Sequence, residues 1–285
     1  VERDPQTPNE TAAIPPGYTL IAVLTSATTG KTALVMDQNT GQKLVIKTMM
    51  KRGKAASDSL FRREIAIISH LVHPHIVTVL DCGESTDYYY LIMEYMAGGT
   101  LADSLGKGRR YSVPEALAIG ITLCQVLVFL EQKRVVHRDI KPSNLFISAQ
   151  RLIKLGDFGL AKDITLSGKS GITTPGAGRG TLEYMPLEQL ENAVKADHRS
   201  DIYSLGATLY HLLAGHPPHT GQTMNELLTD ILTRTPDPIR TINTSVPGMF
   251  SDILSTMLAK RPEDRYQNPQ RLLYELYQQQ SRLEL

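Results

Sequence analysis

In the first third of the chain, apolar positions come in short runs broken by turn residues, which is the pattern of strands. Tyr18 to Leu24 is apolar and rich in β-formers, and Ala33 to Asp37 follows. Asn39-Thr40-Gly41 then supplies a turn before Lys43 to Lys47 continues as a strand. The period next lengthens: Leu60, Phe61, Ile65, Ile68, Leu71 and Val72 fall at spacings of three and four, predicting a helix with one buried face. Ile76–Leu80 and Tyr88–Glu94 predict two more strands. Ahead of all this, residues 1–16 are polar and proline-bearing with no apolar period, and read as a linker or tail.

After Gly98-Gly99 the pattern turns helical. Ser112-Val113-Pro114-Glu115 carries a Ser-x-x-Glu capping box with an early proline, so a helix starts there and runs through Leu123 and Leu130. Ser200 precedes another helix, with Ile202, Leu205, Leu209 and Leu212 on its buried face and Gly215 and Pro217-Pro218 ending it. Met224–Leu232, Phe250–Leu258 and Pro269–Tyr277 are further helical periods. The fold class is α+β: a small antiparallel-sheet lobe with one helix over residues 17–96, and a larger, mainly helical lobe over 97–278. A hinge is expected near Met96–Gly99, with a second tail at 279–285.

Composition removes several alternatives. The 285 residues are 41% hydrophobic and 21% charged with a net charge of +1, so no basic field points to nucleic acid as a partner. Lys51, Arg52 and Lys54 make a short basic run, read as a solvated loop. Cys82 and Cys124 are too few for a disulfide framework or a four-cysteine zinc site, and suit a reducing cytoplasm. No stretch reaches the roughly 20 apolar residues of a membrane helix, and the best one, Ile119 to Leu130, is interrupted by Gln125. The chain begins at Val1 with no signal-peptide pattern, which suits a cytoplasmic piece of a longer protein anchored elsewhere. Nothing in the sequence fixes an oligomeric state.

The chemistry concentrates in His137-Arg138-Asp139-Ile140-Lys141-Pro142-Ser143-Asn144, followed after a strand-like Leu152–Leu155 by Asp157-Phe158-Gly159. Here the chain resembles the eukaryotic-type (Hanks-type) serine/threonine protein kinases, from about Tyr18 to Tyr277. Phosphoryl transfer asks a protein mainly for positioning and charge neutralisation. The resemblance implies that Asp139 accepts a hydrogen bond from the substrate hydroxyl and that Lys141 reaches the γ-phosphate of ATP. Asn144 and Asp157 would be the Mg²⁺ ligands, with Mn²⁺ the alternative ion. His137 would brace the loop under Phe158 rather than act as a base. Lys47, paired with Glu64 on the following helix, would hold the α- and β-phosphates. Met93 matches the gatekeeper position, Glu94 and Met96 the hinge, and Val45 and Phe146 the walls of the adenine slot.

In the second lobe, Gly180-Thr181 with Glu183-Tyr184-Met185 resembles the substrate-docking loop. Thr181 would bridge Asp139 and Lys141, as in serine/threonine-specific members. Asp201 would hydrogen-bond the backbone of the catalytic loop, and Glu188 would pair with Arg265. The run of catalytic-loop residues with Tyr-Met…Glu-Gln after Gly-Thr looks closest to prokaryotic members, and the partners implied are proteins with Ser/Thr acceptors.

The pattern departs from the family at the phosphate loop. Where the family has three glycines, this chain has Leu24-Thr25-Ser26-Ala27-Thr28-Thr29-Gly30-Lys31-Thr32, keeping only Gly30. Thr25 and Ala27 should stiffen the loop and add bulk above the nucleotide. Thr25-x4-Gly30-Lys31-Thr32 also lacks only the first glycine of a Walker A motif. That motif needs a helix directly afterwards, whereas a hairpin signature follows here. Met185-Pro186-Leu187-Glu188 displaces the proline of the family's Ala-Pro-Glu by one position. His211, His216 and His219 straddle a helix end with no carboxylate or cysteine at ligand spacing, which argues against a metal cluster. The competing functional reading is a pseudokinase or scaffold with weakened nucleotide binding. Arg138 beside Asp139 implies control by activation-loop autophosphorylation, with Thr173 and Thr174 the best acceptors ahead of Thr165, Ser167 and Ser170.

Overall fold

The structure is a computed structural model and describes residues 14–27, 30–51, 62, 65–158, 179–192 and 196–283. The chain divides into two compact units, Val1–Ala97 and Gly98–Leu285.

The first unit is built on five antiparallel strands: β1 (Tyr18–Ala27), β2 (Gly30–Asp37), β3 (Lys43–Met50), β4 (Val79–Glu84) and β5 (Tyr88–Glu94), in the order β1-β2-β3-β5-β4. The two-residue period of a strand sorts its side chains by face. Leu44 and Ile46 join Ala33, Val35 and Ile92 in the core, with Ile14, Tyr18, Leu20 and Tyr90 packed against them. Val45 and Lys47 point to the opposite face, with Leu34, Thr32, Met93 and Leu91 as their cross-strand partners.

Several expectations change here. Ile14 covers the sheet core and Pro15 is buried, so the last part of the expected tail 1–16 belongs to the folded unit. The strand expected to end at Leu24 runs on to Ala27, pairing Thr25 with Thr32, Ser26 with Lys31 and Ala27 with Gly30. The register shifts at Ile21 and Leu24, which stand unpaired between their neighbours, as in β-bulges. Residues 65–69 are helical; Ile65 and Leu71 are buried, but Val72, expected on the same face, is 81% exposed. It lies beyond the helix, on the approach to Pro74, where helical backbone is disfavoured. Ile76 and Val77 are buried without lying in a strand, and β4 starts only at Val79. Lys51 is not a solvated loop cation: its Nζ lies 2.9 Å from Glu84 Oε2 and 5.0 Å from the centre of the Tyr89 ring. Leu60, Phe61, Arg52 and Lys54 lie outside the described residues.

The second unit opens with α1 (Leu101–Gly106) and α2 (Val113–Gln132), both started by capping boxes, Thr100 with Asp103 and Ser112 with Glu115. A short antiparallel pair follows, β6 (Leu145–Ile147) and β7 (Ile153–Leu155). Then come α3 (Arg179–Leu182), α4 (Leu187–Glu191), α5 (His198–Ala214), α6 (Met224–Thr233), α7 (Gly248–Met257) and α8 (Pro269–Leu283). Among the described residues, α2 alone has the length and hydropathy of a membrane span. Most of its apolar side chains are nonetheless buried and it packs on α5 and α8, as a core helix does; Gln125 is satisfied by the Tyr277 hydroxyl at 2.7 Å.

The start of α5 is capped by Asp197, which accepts from the Arg199 N–H, and Ser200 lies inside the first turn. Gly215 ends α5 with φ +83°, a left-handed cap that glycine adopts without strain. The expected tail from residue 279 is instead the last turns of α8, with Gln279 buried.

Candidate active site

Between α2 and the short turn before β6, residues 135–141 have no helix or strand to hold them, so their backbone must be fixed from elsewhere. Asp201, buried on α5, does this: its carboxylate accepts the N–H of His137 at 2.7 Å and of Arg138 at 2.8 Å. Burial pushes the Asp201 carboxyl up to about 6 against the pull of those two N–H groups. Arg138 sits in the left-handed region at φ +64° and Asp157 at φ +57°, conformations that cost on the order of 1–3 kcal/mol and persist only where the surroundings enforce them.

His137 is buried, and its ring packs on Phe158 at 4.5 Å between centroids. Its Nδ1 accepts the Asp139 N–H at 3.2 Å, so the proton is on Nε2, which donates to the Gly156 carbonyl at 3.1 Å. Both ring nitrogens are thus engaged in holding backbone.

Around Asp139 the side chains converge. Lys141 Nζ lies 3.0 Å from Asp139 Oδ2 and donates to Thr181 Oγ1 at 2.8 Å. Asn144, buried in a short 3₁₀ turn (Pro142–Asn144), donates from Nδ2 to the Asp139 carbonyl at 2.8 Å and to Oδ2 at 3.0 Å. That use of the amide nitrogen turns its Oδ1 away from Asp139. The Gly156 N–H donates to the Asn144 carbonyl at 3.0 Å, which ties the segment carrying Asp157 to the one carrying Asn144. Phe146 is half-buried on β6, paired with Lys154. A cavity of about 580 Å³ opens beside Lys141 and Thr181, lined also by Leu105, Ser143, Tyr184 and His211.

In the first unit, Thr25, Thr32, Val45, Lys47 and Met93 share the sheet face opposite the core, because each is a direct cross-strand partner of the next along the ladder or lies two residues away. Leu24 is exposed at its bulge. Glu94 is held by two bonds to Thr78: its N–H donates to the Thr78 carbonyl at 3.1 Å, and its Oε1 accepts the Thr78 N–H at 2.7 Å. Met96 is buried. Gly30 packs against β3, where a Cβ would collide with the Thr48 carbonyl oxygen. Ala27 pairs with Gly30 through its backbone. Glu64, Gly159, Thr165, Ser167, Ser170, Thr173 and Thr174 lie outside the described residues.

Behind the loop, Arg265 is fully buried and pairs with both Glu188 oxygens, at 2.7 and 3.0 Å. It also donates to the carbonyls of Ala259, Arg199 and Lys260, and stacks 4.9 Å over Tyr203. The displaced proline leaves this pair intact, and Ser200 Oγ adds a third bond to Glu188, at 2.7 Å.

The three histidines turn to separate partners: His211 to the Tyr184 hydroxyl at 2.6 Å, His216 to the Pro217 carbonyl and His219 to Asp230. Burial, helped by His216 and Arg110, lowers His211 to about 4, so it stays neutral and Tyr184 donates to it. One contact near the catalytic loop went unforeseen: Gln189, singled out in sequence only as the Gln of the Glu-Gln pair, donates from Nε2 to the Arg138 carbonyl at 2.7 Å.

Comparison with known proteins gives the family. The protein kinase domain family matches residues 18–277. The serine/threonine-protein kinase PknB of Mycobacterium tuberculosis is 37% identical over 211 residues, covering 73% of this chain and 33% of the relative. A probable serine/threonine-protein kinase of Clostridium perfringens, CPE1738, is 30% identical over 216 residues, covering 76% of this chain and 31% of its own length. The chain thus spans about a third of the length of the curated relatives it matches. The crystal structure of Rad53 1–466 in complex with AMP-PNP shares the fold, with a TM-score of 0.75 at 23% identity, over 91% of this chain and 64% of that one. On the match over residues 18–277 the chain belongs to the protein kinase domain family, and the bacterial relatives it is similar to are serine/threonine-protein kinases.

Proposed function

We propose that this chain transfers the γ-phosphoryl group of ATP to serine or threonine hydroxyls of protein substrates. The observation that carries this reading is the convergence of Lys141 and Asn144 on Asp139, with Thr181 receiving the Lys141 ammonium.

In this reading the Asp139 carboxylate, aimed by Asn144, accepts the hydrogen bond of the incoming hydroxyl and orients its oxygen towards the γ-phosphorus. Lys141, held between Asp139 and Thr181, offers positive charge to the phosphoryl oxygens as their charge redistributes. Thr181 Oγ1 keeps that ammonium in place and contributes to the wall that the acceptor side chain meets. Lys47 presents its ammonium from the functional face of the sheet to the α- and β-phosphates, with Glu64 as its partner. Met93, Glu94 and Met96 meet the adenine, with Val45 and Phe146 as the walls of its slot. Leu24, Thr25, Ala27, Gly30 and Thr32 cover the nucleotide.

The donor set suits a hard divalent cation: an amide oxygen on Asn144 turned away from Asp139, and the carboxylate of Asp157 on a neighbouring segment. Asn144 and Asp157 would hold Mg²⁺, or Mn²⁺, which when bound neutralises phosphate charge. ATP and free thiols at Cys82 and Cys124 both suit the cytoplasm as the place of action.

The test is incubation with γ-labelled ATP and Mg²⁺ beside Asp139→Asn, with dephosphorylated casein as acceptor. Label incorporated well above the variant is expected. Equal label in the two would leave the pseudokinase reading in its place. Autophosphorylation at Thr173 or Thr174 is expected in the same incubation, and mass spectrometry finding that peptide unmodified would refute it.

A further inference from the structure

Gln189 follows Glu188 on α4 and is 5% exposed. Its Nε2 donates to the Arg138 carbonyl oxygen at 2.7 Å, while its Oε1 is buried with no hydrogen-bond partner. The orientation of the amide follows from that bond, because the carbonyl can only accept. A methionine or leucine would fill much the same space without burying an orphaned oxygen. Packing therefore does not explain an amide at this position; its N–H group does.

That N–H acts on a particular peptide plane. The carbonyl of Arg138 and the N–H of Asp139 belong to one planar unit, so fixing both fixes the rotation about the bonds on either side of it. Gln189 holds the oxygen at 2.7 Å, and His137 Nδ1 holds the N–H at 3.2 Å. Arg138 is left-handed at φ +64° and anchored to Asp201 through its own N–H at 2.8 Å. Such a conformation relaxes unless opposed, and the swing would carry the Cα of Asp139 with it. We propose that Gln189 is a positioning residue for phosphoryl transfer, pinning the Arg138–Asp139 peptide plane so that the Asp139 carboxylate stays aimed at the acceptor hydroxyl.

The inference rests on the role proposed for Asp139, and its test separates the two. In the casein assay, wild type exceeding Asp139→Asn establishes the parent reading. Within an active wild type, Gln189→Met removes both the donor and the orphaned oxygen at nearly constant volume. The expected result is a kcat lower by about 3- to 10-fold, as for the loss of one hydrogen bond that orients a catalytic group. KM for ATP and the melting temperature should stay the same, because the acceptor left at the Arg138 carbonyl offsets the removal of the orphaned oxygen. Gln189→Glu, with a carboxylate facing the Arg138 carbonyl, should lose at least as much kcat. A purely structural glutamine would make kcat and melting temperature fall together. That outcome, failure of Gln189→Met to fold, or wild-type kcat in either variant overturns the proposal.

Discussion

Arg138 donates its backbone N–H to Asp201 Oδ1 at 2.8 Å, joining the residue before Asp139 to the buried first turn of α5. This bond has a pH signature. Burial raises the Asp201 carboxyl to about 6, so protonation near that pH converts one of its acceptor oxygens into a hydroxyl and weakens the hold on the loop. Turnover should fall as pH drops through about 6. Stability should move the other way: a carboxyl whose folded pKa is raised contributes stability that is full below its unfolded value and lost as pH rises through the folded one. Asp201→Asn should remove both trends and lower kcat by about 10-fold, since its amide can accept only one of the two N–H bonds. Matched pH profiles of kcat and of melting temperature check this; a wild-type kcat flat from pH 5 to 7 counts against it.

The Glu188–Arg265 pair is architectural. Arg265→Leu would strand a mostly buried carboxylate together with the carbonyls of Ala259, Arg199 and Lys260. A loss of about 3–5 kcal/mol is expected, as for breaking a buried pair from one side. Urea titration gives the value, and a loss below about 1 kcal/mol would show that the surroundings re-satisfy these groups.

Thr181→Val removes the oxygen that receives Lys141 while keeping the shape of the side chain. The expectation is a kcat lower by about 10-fold with unchanged melting temperature and KM for ATP, and recovery in Thr181→Ser. An equal loss in Thr181→Ser would mean that the hydroxyl is not the operative group.

At the hairpin, two changes should act in opposite directions. Thr25→Gly with Ala27→Gly should lower KM for ATP by removing bulk, while costing about 0.5–1 kcal/mol each because both residues lie in a paired strand. Gly30→Ala should destabilise the sheet by about 1–3 kcal/mol, because its Cβ collides with the Thr48 carbonyl. Steady-state kinetics in ATP and thermal melts distinguish these effects, and an unchanged KM in the double glycine variant would show that this bulk does not hinder nucleotide.

Much of the site is written locally. His137 to Asn144 are covalent neighbours, so their types and spacing already limit where each side chain can reach, and the capping box at Ser112 starts α2 whatever packs on it. At the hairpin the resemblance misled on conformation. Thr25 to Ala27 read as loop because they stand where the family has its phosphate loop, yet without that loop's glycines the strand simply continues through them. A β-branched threonine with a ladder partner across from it pairs, and that partner is not visible in a single strand.

Sequence by itself determined the chemical groups of the loop, the strand-then-helix order and the apolar faces, since these depend on residue type and short-range period. The resemblance pointed to Asp201 as an anchor of the loop, but only the tertiary structure showed which backbone groups it holds and that Gln189 joins it. The anchors come from residues 51 to 64 positions beyond the backbone groups they bind: Asp201 for the N–H groups and Gln189 for the Arg138 carbonyl. A hydrogen bond needs its partner within about 3 Å. No periodicity carries that condition across so many residues, and it is met only once α4, α5 and the catalytic loop are packed together.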